Sequence, residues 1–319
     1  MKVLGVGSYV PGKVLINKDF ESIVDTSDEW IVSRTGIEKR HIVVDEKTSD
    51  MAIKASKSLL ENYNIDPLTI DMVILSTVTP DYLTPATASI VQEAIGAKNA
   101  FSFDISSACA GFVSAMSIAN SFLSSKINRI LVISAETLSK ITNFDDRNTC
   151  VLFGDGAGCM LVENGGEEFY NNMKTESSKV ASLYGHPIKN NSPFSKENIT
   201  DDEFLHMNGR DVFELVTKLV PLNITELLED SKINLEDIYK IIPHQANKRL
   251  IEALAKKLYN SMENVFVNIQ NYGNTSSASI PIAFDDLVKS KNLALGSGEK
   301  VLIVGYGAGF TYGSGILTI

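Results

Sequence analysis

The chain has 319 residues, which is long enough for two domains or one large double core. With 44% hydrophobic and 21% charged residues its composition is that of an ordinary globular protein, and its net charge of -10 argues against nucleic acid as a partner, because phosphate binding needs a basic face. Three cysteines without metal-ligand spacing indicate a reducing compartment. No apolar stretch is long enough to span a membrane, so we expect a cytoplasmic protein.

The N-terminal segment Met1–Gly7 has too short an apolar run for a signal peptide and predicts a strand. Farther along, the apolar segment Ile70–Ser76 follows an Asp-Pro turn and predicts another strand. Strand and helix patterns alternate throughout the chain. This alternation predicts a largely parallel sheet that is covered by helices on both faces.

Trp30 is the only tryptophan, and Arg34 lies one helical turn after it. On one face of a helix, an indole ring and a guanidinium at this spacing can hold a flat aromatic base by stacking and cation–π contact. Without further evidence, an ordinary pair on a helix surface is the simpler interpretation.

The segment Asp104–Phe112 has the pattern of a short apolar strand followed by a helix of small residues, with Cys109 in the first turn of that helix. Unpaired N–H groups and the positive end of the helix dipole favour a thiolate at such a position. Because the thiolate is the nucleophilic form, the segment predicts covalent catalysis. On this segment alone, an inert buried cysteine is an equally good interpretation.

The polar, glycine-rich segment Glu163–Glu168 predicts a boundary that divides the chain into residues 1–165 and 166–319. The two parts resemble each other weakly, as internal repeats do. The corresponding segments are Ile70–Ser76 with Leu235–Ile242, Asn128–Ser134 with Lys300–Gly305, and the helix after Cys109 with Thr275–Ala283. Residues 182–202 are rich in Asn, Ser, Pro and Lys, which predicts a surface loop leading into a helix at Asp211.

Two later segments, Ile241–Asn247 and Asn271–Ser279, are expected to follow the pattern of the cysteine segment: an apolar strand, a tight polar turn and then a helix. His244 and Asn274 would then lie at strand-to-helix junctions, where α/β folds place catalytic groups, and could meet Cys109 in one pocket. Taken singly, a histidine after a strand is usually a structural hydrogen-bonding residue. An asparagine after a glycine is usually a turn or cap residue.

The segment after His244 predicts an amphipathic helix with a basic face. Leu250 and Leu254 lie on its apolar stripe. Arg249 and Lys256 share another face, seven positions apart. The full basic set is Lys248, Arg249, Lys256 and Lys257. A docking surface for an acidic partner and a solvated helix face are both open interpretations, and the position beside His244 favours docking.

Together, Cys109, His244 and Asn274 resemble the nucleophile, histidine and asparagine of the β-ketoacyl-acyl-carrier-protein synthase III family in the thiolase superfamily. The resemblance covers nearly the whole chain. Three further segments are similar to family motifs: the coenzyme A-binding stretch Thr26–Ile37 with Arg40 and His41, and the glycine turns Phe153–Gly158 and Gly305–Phe310. The resemblance implies an α/β, thiolase-like fold in which two duplicated αβαβα halves form a five-layered core. Residues 1–165 would carry the cysteine and residues 166–319 the histidine and asparagine.

The resemblance implies an acyltransferase that initiates type II fatty acid biosynthesis. An acetyl or a short or branched acyl group would pass from coenzyme A to Cys109. Malonyl-acyl carrier protein would then lose carbon dioxide, and its carbanion would attack the acyl-cysteine to give 3-oxoacyl-acyl carrier protein. His244 and Asn274 would hydrogen-bond the malonyl thioester oxygen, where enolate charge develops. The N–H groups of Cys109 and Ala308 would hold the other oxyanion, and many relatives have glycine in place of Ala308.

The resemblance also implies a set of binding residues. For coenzyme A they are Trp30, Arg34, Arg147, Asn208 and Asn247, and for acyl carrier protein they are the four basic residues of the helix after His244. The family functions as a homodimer without a metal or other cofactor. In it, the loop that corresponds to Tyr82–Pro85 closes the acyl pocket of the partner subunit. Since many relatives have a bulky aromatic residue where Thr84 falls, Thr84 would leave room for a longer or more branched acyl group.

Other members of the superfamily fit less well. A biosynthetic thiolase would need a second cysteine near the C-terminus, whereas the last cysteine here is Cys159. A hydroxymethylglutaryl-coenzyme A synthase would need a glutamate base, and an elongating synthase has a second histidine where Asn274 stands. The interpretation as a specialised synthase for a secondary product stays open. The interpretation as a catalytically inactive protein that only binds acyl carriers also stays open, although such proteins typically lose the nucleophile.

Overall fold

A computed structural model describes residues 1–185, 204–258 and 261–319. The strands are β1 (Lys2–Tyr9), β2 (Lys13–Ile16), β3 (Lys39–Ile42), β4 (Met72–Ser76), β5 (Phe101–Ile105), β6 (Arg129–Glu136), β7 (Gly156–Glu163), β8 (Tyr170–Thr175), β9 (Leu183–Tyr184), β10 (His206–Met207), β11 (Ile238–Pro243), β12 (Lys300–Tyr306) and β13 (Thr311–Thr318). The helices are α1 (Asn17–Phe20), α2 (Asp28–Thr35), α3 (Thr48–Asn62), α4 (Thr87–Ile95), α5 (Gly111–Phe122), α6 (Arg147–Cys150), α7 (Gly209–Ser231), α8 (Lys248–Leu258), α9 (Ile269–Tyr272) and α10 (Ser279–Lys289).

Two sheets form the framework of the molecule. The first has the strand order β1-β7-β6-β4-β5 and the second the order β11-β12-β13-β8. In each, one strand lies parallel to its neighbour and the chain then returns antiparallel: β4 and β6 are parallel and β7 reverses, just as β11 and β12 are parallel and β13 reverses. The prediction of a largely parallel sheet is therefore wrong. The turn between β12 and β13 is far too short for the crossover that parallel neighbours require.

The two sheets enclose a middle layer made of α5 and α10. Phe112 and Met116 of α5 and Phe284 of α10 are fully buried in one core with apolar residues of both sheets. A second core lies between the first sheet and the helices α3 and α4, and a third between the second sheet and the helices α7 and α8. This gives five layers in the order helix, sheet, helix, sheet, helix, and it confirms the predicted fold. Burial of these apolar surfaces is the main stabilising contribution.

The internal repeat is confirmed by the matching positions of the paired elements. Strand β4 in the first sheet corresponds to β11 in the second, β6 to β12, and the central helix α5 to α10. The second sheet is shorter, because the counterpart of β5 is reduced to a single parallel bridge between Ile241 and Val265. All strands of the first sheet precede Gly165 and all strands of the second follow it. Because both halves share the middle layer, the division at 165/166 stays a prediction.

The predicted loop at residues 182–202 lies mostly outside the described residues. Its beginning forms β9, which pairs with β10. The helix expected at Asp211 is present as α7, whose first turn is capped by Asn208: its carboxamide oxygen accepts a hydrogen bond from the backbone N–H of Asp211 at 3.2 Å. In the described ranges, none of the helices combines the length and apolar character needed to cross a bilayer.

Candidate active site

Cys109 lies in a one-turn 3-10 segment, Ala108–Ala110, between strand β5 and helix α5. Ala108 has a φ of 43°, a left-handed conformation that non-glycine residues rarely adopt. Such strain is typical of functional sites. The Cys109 side chain is 8% exposed, and its thiol donates a hydrogen bond to Ser276 Oγ at 3.3 Å. The predicted position at the start of a helix is confirmed.

The protonation state of Cys109 differs from the prediction. Burial raises the pKa of the Cys109 thiol to about 12; the hydrogen bond between the thiol and Ser276 acts against this rise, and the nearby Glu136 adds to it. The helix N-terminus is present, and burial, which disfavours the charged thiolate, is the largest of the effects on this pKa. In the free protein the nucleophile is therefore the neutral thiol, and its proton has to be removed during the reaction.

His244 directly follows the last residue of β11. Its backbone N–H donates to the carbonyl of Val304 at 2.7 Å, and its ring Nδ1 contacts Ser279 Oγ at 2.7 Å. The ring of Tyr306 packs edge-on against the imidazole with 5.2 Å between centroids. Burial lowers the pKa of His244 to about 3. The imidazole is therefore neutral at physiological pH, as expected for a hydrogen-bond donor that adds no charge.

Asn274 is buried in a turn that is held from both sides by backbone hydrogen bonds. Its N–H donates to Leu152 O at 2.9 Å, and its carboxamide oxygen accepts from the N–H of Ser276 at 2.8 Å. This leaves the amide NH₂ as the donating end of the side chain. The preceding Gly273 has a φ of 67°, and a Cβ there would lie 2.8 Å from Leu152 O, so only glycine fits. The expected strand before Asn274 is wrong: the short helix α9 occupies that place.

The glycine turn after β12 brings Ala308 beside the cysteine. Gly307 is packed so closely that a Cβ on it would lie 2.5 Å from the backbone nitrogen of Cys109. The next residues, Ala308–Phe310, form a 3-10 segment. The N–H groups of Cys109 and Ala308 thus belong to two turns in contact. Their joint role as an oxyanion hole stays a prediction.

One cavity of about 260 Å³ connects these turns. Its polar lining includes Cys109, His244, Asn274, Ser276 and the Ala308 turn, so the structure brings the predicted catalytic residues together. The remaining lining is largely apolar and comes from both halves of the chain, including Ile141, Phe153, Leu205, Val212, Phe213 and Phe310. A deep apolar cavity with a few convergent polar groups is the usual form of a small-molecule site.

A shallower pocket opens to the surface beside Trp30. It shares Leu152, Met207, Gly209 and Asn247 with the cavity, so the two adjoin each other. The guanidinium carbon of Arg147 lies 4.7 Å from the centroid of the Trp30 ring, and that of Arg34 lies 5.6 Å from it. Two cations therefore flank the only tryptophan in a surface pocket that adjoins the Cys109 cavity.

Two predicted channel residues also have structural roles. Asn208 caps α7, and the carboxamide oxygen of Asn247 accepts from the N–H of Arg249 at 2.9 Å at the start of α8. The Asn247 NH₂ group donates to the carbonyl of Arg34 at 3.1 Å, which ties α8 to the tryptophan-bearing helix α2. Both asparagines line the surface pocket. Their contact with a ligand stays a prediction.

The basic residues of α8 separate into two groups along the helix. Lys248 and Arg249 are exposed at its start, next to the surface pocket. Lys256 and Lys257 lie in its last turn, and the ammonium of Lys257 donates to the carbonyl of Thr217 on α7 at 2.5 Å. Their role in docking a carrier protein stays a prediction. Thr84 is exposed and is not among the described residues that line the cavity, so its predicted role concerns only a partner subunit.

The sequence interpretation missed Glu136 and Ser276. Glu136 is fully buried at the end of β6, and Ser276 joins it to Cys109. The signal for Glu136 was available, since it is a carboxylate at the end of a buried strand, the position that singled out His244. Across the described parts of the chain, no group of three or more His, Cys, Asp or Glu side chains is arranged to hold a metal ion.

The chain is similar to known proteins over most of its length. The family model described as 3-oxoacyl-[acyl-carrier-protein] synthase III matches residues 103–179, and the model of its C-terminal part matches residues 228–319. The β-ketoacyl-[acyl-carrier-protein] synthase III of Clostridium acetobutylicum is 46% identical over 320 residues, covering 99% of this chain and 98% of that protein.

Two solved structures are also similar over the whole chain. The 3-oxoacyl-[acyl-carrier-protein] synthase III of Aquifex aeolicus has a TM-score of 0.92 at 41% identity, covering 100% of this chain and 99% of that one. The priming β-ketosynthase of the R1128 polyketide biosynthetic pathway has a TM-score of 0.91 at 34% identity, covering 100% and 96%. The chain therefore belongs to the β-ketoacyl-acyl-carrier-protein synthase III family.

Proposed function

We propose that the protein is an acyltransferase that initiates fatty acid biosynthesis by condensing an acyl-coenzyme A primer with malonyl-acyl carrier protein. The observation that carries the proposal is the convergence of Cys109, His244 and Asn274 on one apolar cavity that adjoins the surface pocket beside Trp30. The products are 3-oxoacyl-acyl carrier protein, carbon dioxide and coenzyme A. No metal or other cofactor takes part in this proposal.

In the first half of the reaction, Cys109 attacks the thioester carbon of the primer. The new carbon–sulfur bond places a negative charge on the carbonyl oxygen, and the N–H groups of Cys109 and Ala308 receive it. Collapse of this intermediate breaks the bond to coenzyme A and leaves the acyl group on Cys109. The apolar lining of the cavity accommodates the acyl chain.

In the second half, malonyl thioester takes the place of coenzyme A. Breaking the carbon–carboxylate bond releases carbon dioxide and moves the electron pair toward the thioester oxygen. His244, neutral because of its burial, and the NH₂ group of Asn274 supply hydrogen bonds to that oxygen. The carbanion then attacks the acyl-Cys109 carbonyl, and the cysteine leaves as the product forms.

Recognition of coenzyme A is assigned to the surface pocket. Trp30 with Arg34 and Arg147 would hold the adenine end, because a flat base can stack beside an indole flanked by two guanidinium groups. Asn208 and Asn247 would line the path of the pantetheine arm. The acidic carrier protein would dock on the basic residues of α8, whose first two lie beside this pocket.

The proposed functional unit is a homodimer in the cytoplasm. Strand β5 ends the first sheet and carries Phe101 and Phe103, which form an aromatic cluster with Phe122 of α5. Phe101 is 45% exposed in the single chain. An apolar edge of this kind is usually covered by a partner. The exposed Thr84 would then reach the acyl pocket of the partner subunit.

The direct test of this function is intact-protein mass spectrometry after incubation with a panel of acyl-coenzyme A esters. We expect a mass increase of one acyl group that is absent in Cys109→Ser, followed by release of 3-oxoacyl product on addition of malonyl-acyl carrier protein. The longest and most branched acyl group accepted tests the role of Thr84. No transfer from any coenzyme A ester would contradict the proposal.

A specialised synthase is the second candidate, favoured by the similarity to the R1128 priming enzyme. It would have the same acylation step but a different extender or carrier protein. Turnover with malonyl-acyl carrier protein, compared with other extender units, distinguishes the two functions. A preference for another extender after normal acylation would support the specialised synthase.

A further inference from the structure

Glu136 is a fully buried carboxyl group to which the reaction described above gives no role. Its Oε2 accepts hydrogen bonds from Thr77 Oγ1 at 3.1 Å, from the N–H of Val78 at 3.0 Å and from Thr79 Oγ1 at 3.0 Å. Its Oε1 accepts from Ser276 Oγ at 3.2 Å and from Ser277 Oγ at 2.7 Å. The N–H of Val78 can only donate and the four hydroxyl groups can donate as well, so each of these contacts can stabilise the ionised carboxylate.

The hydroxyl protons around Glu136 are directed by a second set of hydrogen bonds. Thr77 Oγ1 accepts from the N–H of Thr79 at 3.0 Å, and Thr79 Oγ1 accepts from the N–H of Thr137 at 2.8 Å. With these acceptor positions occupied, each hydroxyl is free to point its proton at the carboxylate. Burial raises the pKa of Glu136, while its hydrogen bonds act in the opposite direction.

Ser276 connects this carboxylate to the nucleophile. Its hydroxyl accepts a hydrogen bond from the Cys109 thiol at 3.3 Å and donates one to Glu136 Oε1 at 3.2 Å. The turn that holds it is fixed, because the N–H of Ser276 donates to Asn274 Oδ1 at 2.8 Å. Ser276 also lines the cavity. A continuous chain of three groups thus runs from the reactive sulfur to a buried acceptor.

We propose that Glu136, acting through Ser276, receives the proton of Cys109 when the thiol attacks the acyl-coenzyme A primer. By this assignment Ser276, which contacts the reacting sulfur, is a catalytic residue, and Glu136, which acts through it, is a positioning residue. The inference rests on the proposed function and adds a step to it.

The step balances in protons and charge. As the sulfur–carbon bond forms, the thiol proton passes to Ser276 Oγ and the Ser276 hydroxyl proton passes to Glu136 Oε1. The single negative charge moves from the carboxylate to the oxyanion of the intermediate, so no pair of opposite charges is created in the buried site. When the bond to coenzyme A breaks, the proton returns from Glu136 through Ser276 to the leaving sulfur, which restores the carboxylate.

Two other titratable side chains, His244 of the β11 end and Tyr306 of the β12 end, face the cavity beside this chain. Burial lowers the pKa of His244 to about 3, so its imidazole is a poor base for a thiol proton. Burial, with a smaller effect of Cys109, raises the pKa of Tyr306, which stays a neutral phenol. The carboxylate of Asp155 bonds instead to Ser139 and to the N–H of Val43. Glu136 is thus the acceptor that Cys109 can reach.

The test compares the pH dependence of Cys109 acylation, and of its alkylation by iodoacetamide, in the wild type and in Ser276→Gly. Glycine suits this position because Ser276 has a φ of 51°. We expect the wild-type rates to be nearly independent of pH above the pKa of Glu136. Above that pKa, the rates in Ser276→Gly should be about 10²-fold lower than in the wild type and should rise about tenfold per pH unit, since the thiolate must form by direct ionisation.

Glu136→Gln should show the same change of profile, and Glu136→Asp, which keeps a carboxylate, should recover part of the flat profile. Ser277→Ala is the matched control: it also loses a hydroxyl that donates to Glu136 Oε1, but the altered side chain does not contact the sulfur. It should keep the flat part of the wild-type profile, which begins at a higher pH because the lost hydrogen bond had lowered the pKa of Glu136. The test depends mainly on Ser276→Gly, so it remains valid even if Glu136→Gln fails to fold.

Parallel pH profiles for the wild type and Ser276→Gly would overturn the relay. A steep profile in Ser277→Ala as well would also overturn it, because the effect would then come from general disturbance of the network. Alkylation needs no coenzyme A ester. If the wild type is alkylated normally but is not acylated by any ester, the proposed function fails while the alkylation profiles still decide on the relay.

Discussion

At the scale of single residues, the site depends on how strongly burial changes the chemistry of ionisable groups. Cys109 and His244 both occupy places where water is excluded, and each is held in its neutral form. For His244 this suits a donor that must not compete with the developing enolate charge. For Cys109 it means that a proton acceptor is needed, and the chain from Ser276 to Glu136 supplies one.

The neutral state of His244 has a consequence for stability. Its pKa in the folded protein, about 3, lies below the ordinary value of 6.5, so the unfolded chain binds a proton that the folded protein does not. The contribution is fully present above pH 6.5 and is lost as the pH falls toward 3. We expect it to lower the free energy of unfolding by about 1.4 kcal/mol for each pH unit in that window.

Urea unfolding of the wild type and His244→Gln at several acidic pH values measures this contribution. Other groups titrate in both proteins, so the difference between the two curves isolates His244. The free energy of the wild type should fall more steeply with acid. Equal slopes would mean that His244 is protonated in the folded protein.

At the scale of elements, the predicted catalytic groups lie in turns at the ends of strands and helices. The Cys109 turn follows β5, His244 follows β11, and the Ala308 turn follows β12. Asn274 instead follows the short helix α9. The Cys109 turn contacts both the segment Ser276–Ala278, which follows Asn274, and the Ala308 turn. Small displacements of one turn should therefore affect the chemistry of another.

Gly307→Ala is the sharpest test of this contact. The added methyl group would lie 2.5 Å from the backbone nitrogen of Cys109 and would displace the N–H that is assigned to the oxyanion. We expect the rate of Cys109 acylation to fall by at least about 10²-fold. Gly12→Ala is the control, since a Cβ there meets nothing within 4 Å. Rapid-quench mass spectrometry gives both rates, and an acylation rate near that of the wild type would contradict the oxyanion assignment.

At the scale of the whole molecule, the two similar halves bury one central layer, and strand β5 forms one edge of the first sheet. That edge, at β5, carries the cluster of Phe101, Phe103 and Phe122. The exposed Tyr82 and Leu83 precede Thr84 in the loop proposed to reach the partner. These features support a dimer in which each subunit helps to close the acyl pocket of the other.

We expect the wild type to be a dimer in size-exclusion chromatography with light scattering, and Phe101→Glu to shift it toward monomer. A charge placed in an apolar interface loses its hydration without gaining a partner. Leu222→Glu, on the exposed face of α7, is the matched control and should remain a dimer. A monomeric wild type, or a dimer unaffected by Phe101→Glu, would contradict this assembly.

The amino-acid sequence by itself determined the alternation of elements, the helix after Cys109, the internal repeat and the family resemblance. These depend on local periodicity, turn residues and motifs, which can be identified along the chain. The tertiary structure alone decided the mixed strand directions, the convergence of the three predicted catalytic residues on one cavity, the neutral state of Cys109 and the link through Ser276 to Glu136. Those properties depend on the exclusion of water and on contacts between residues up to 167 positions apart, which no local pattern encodes.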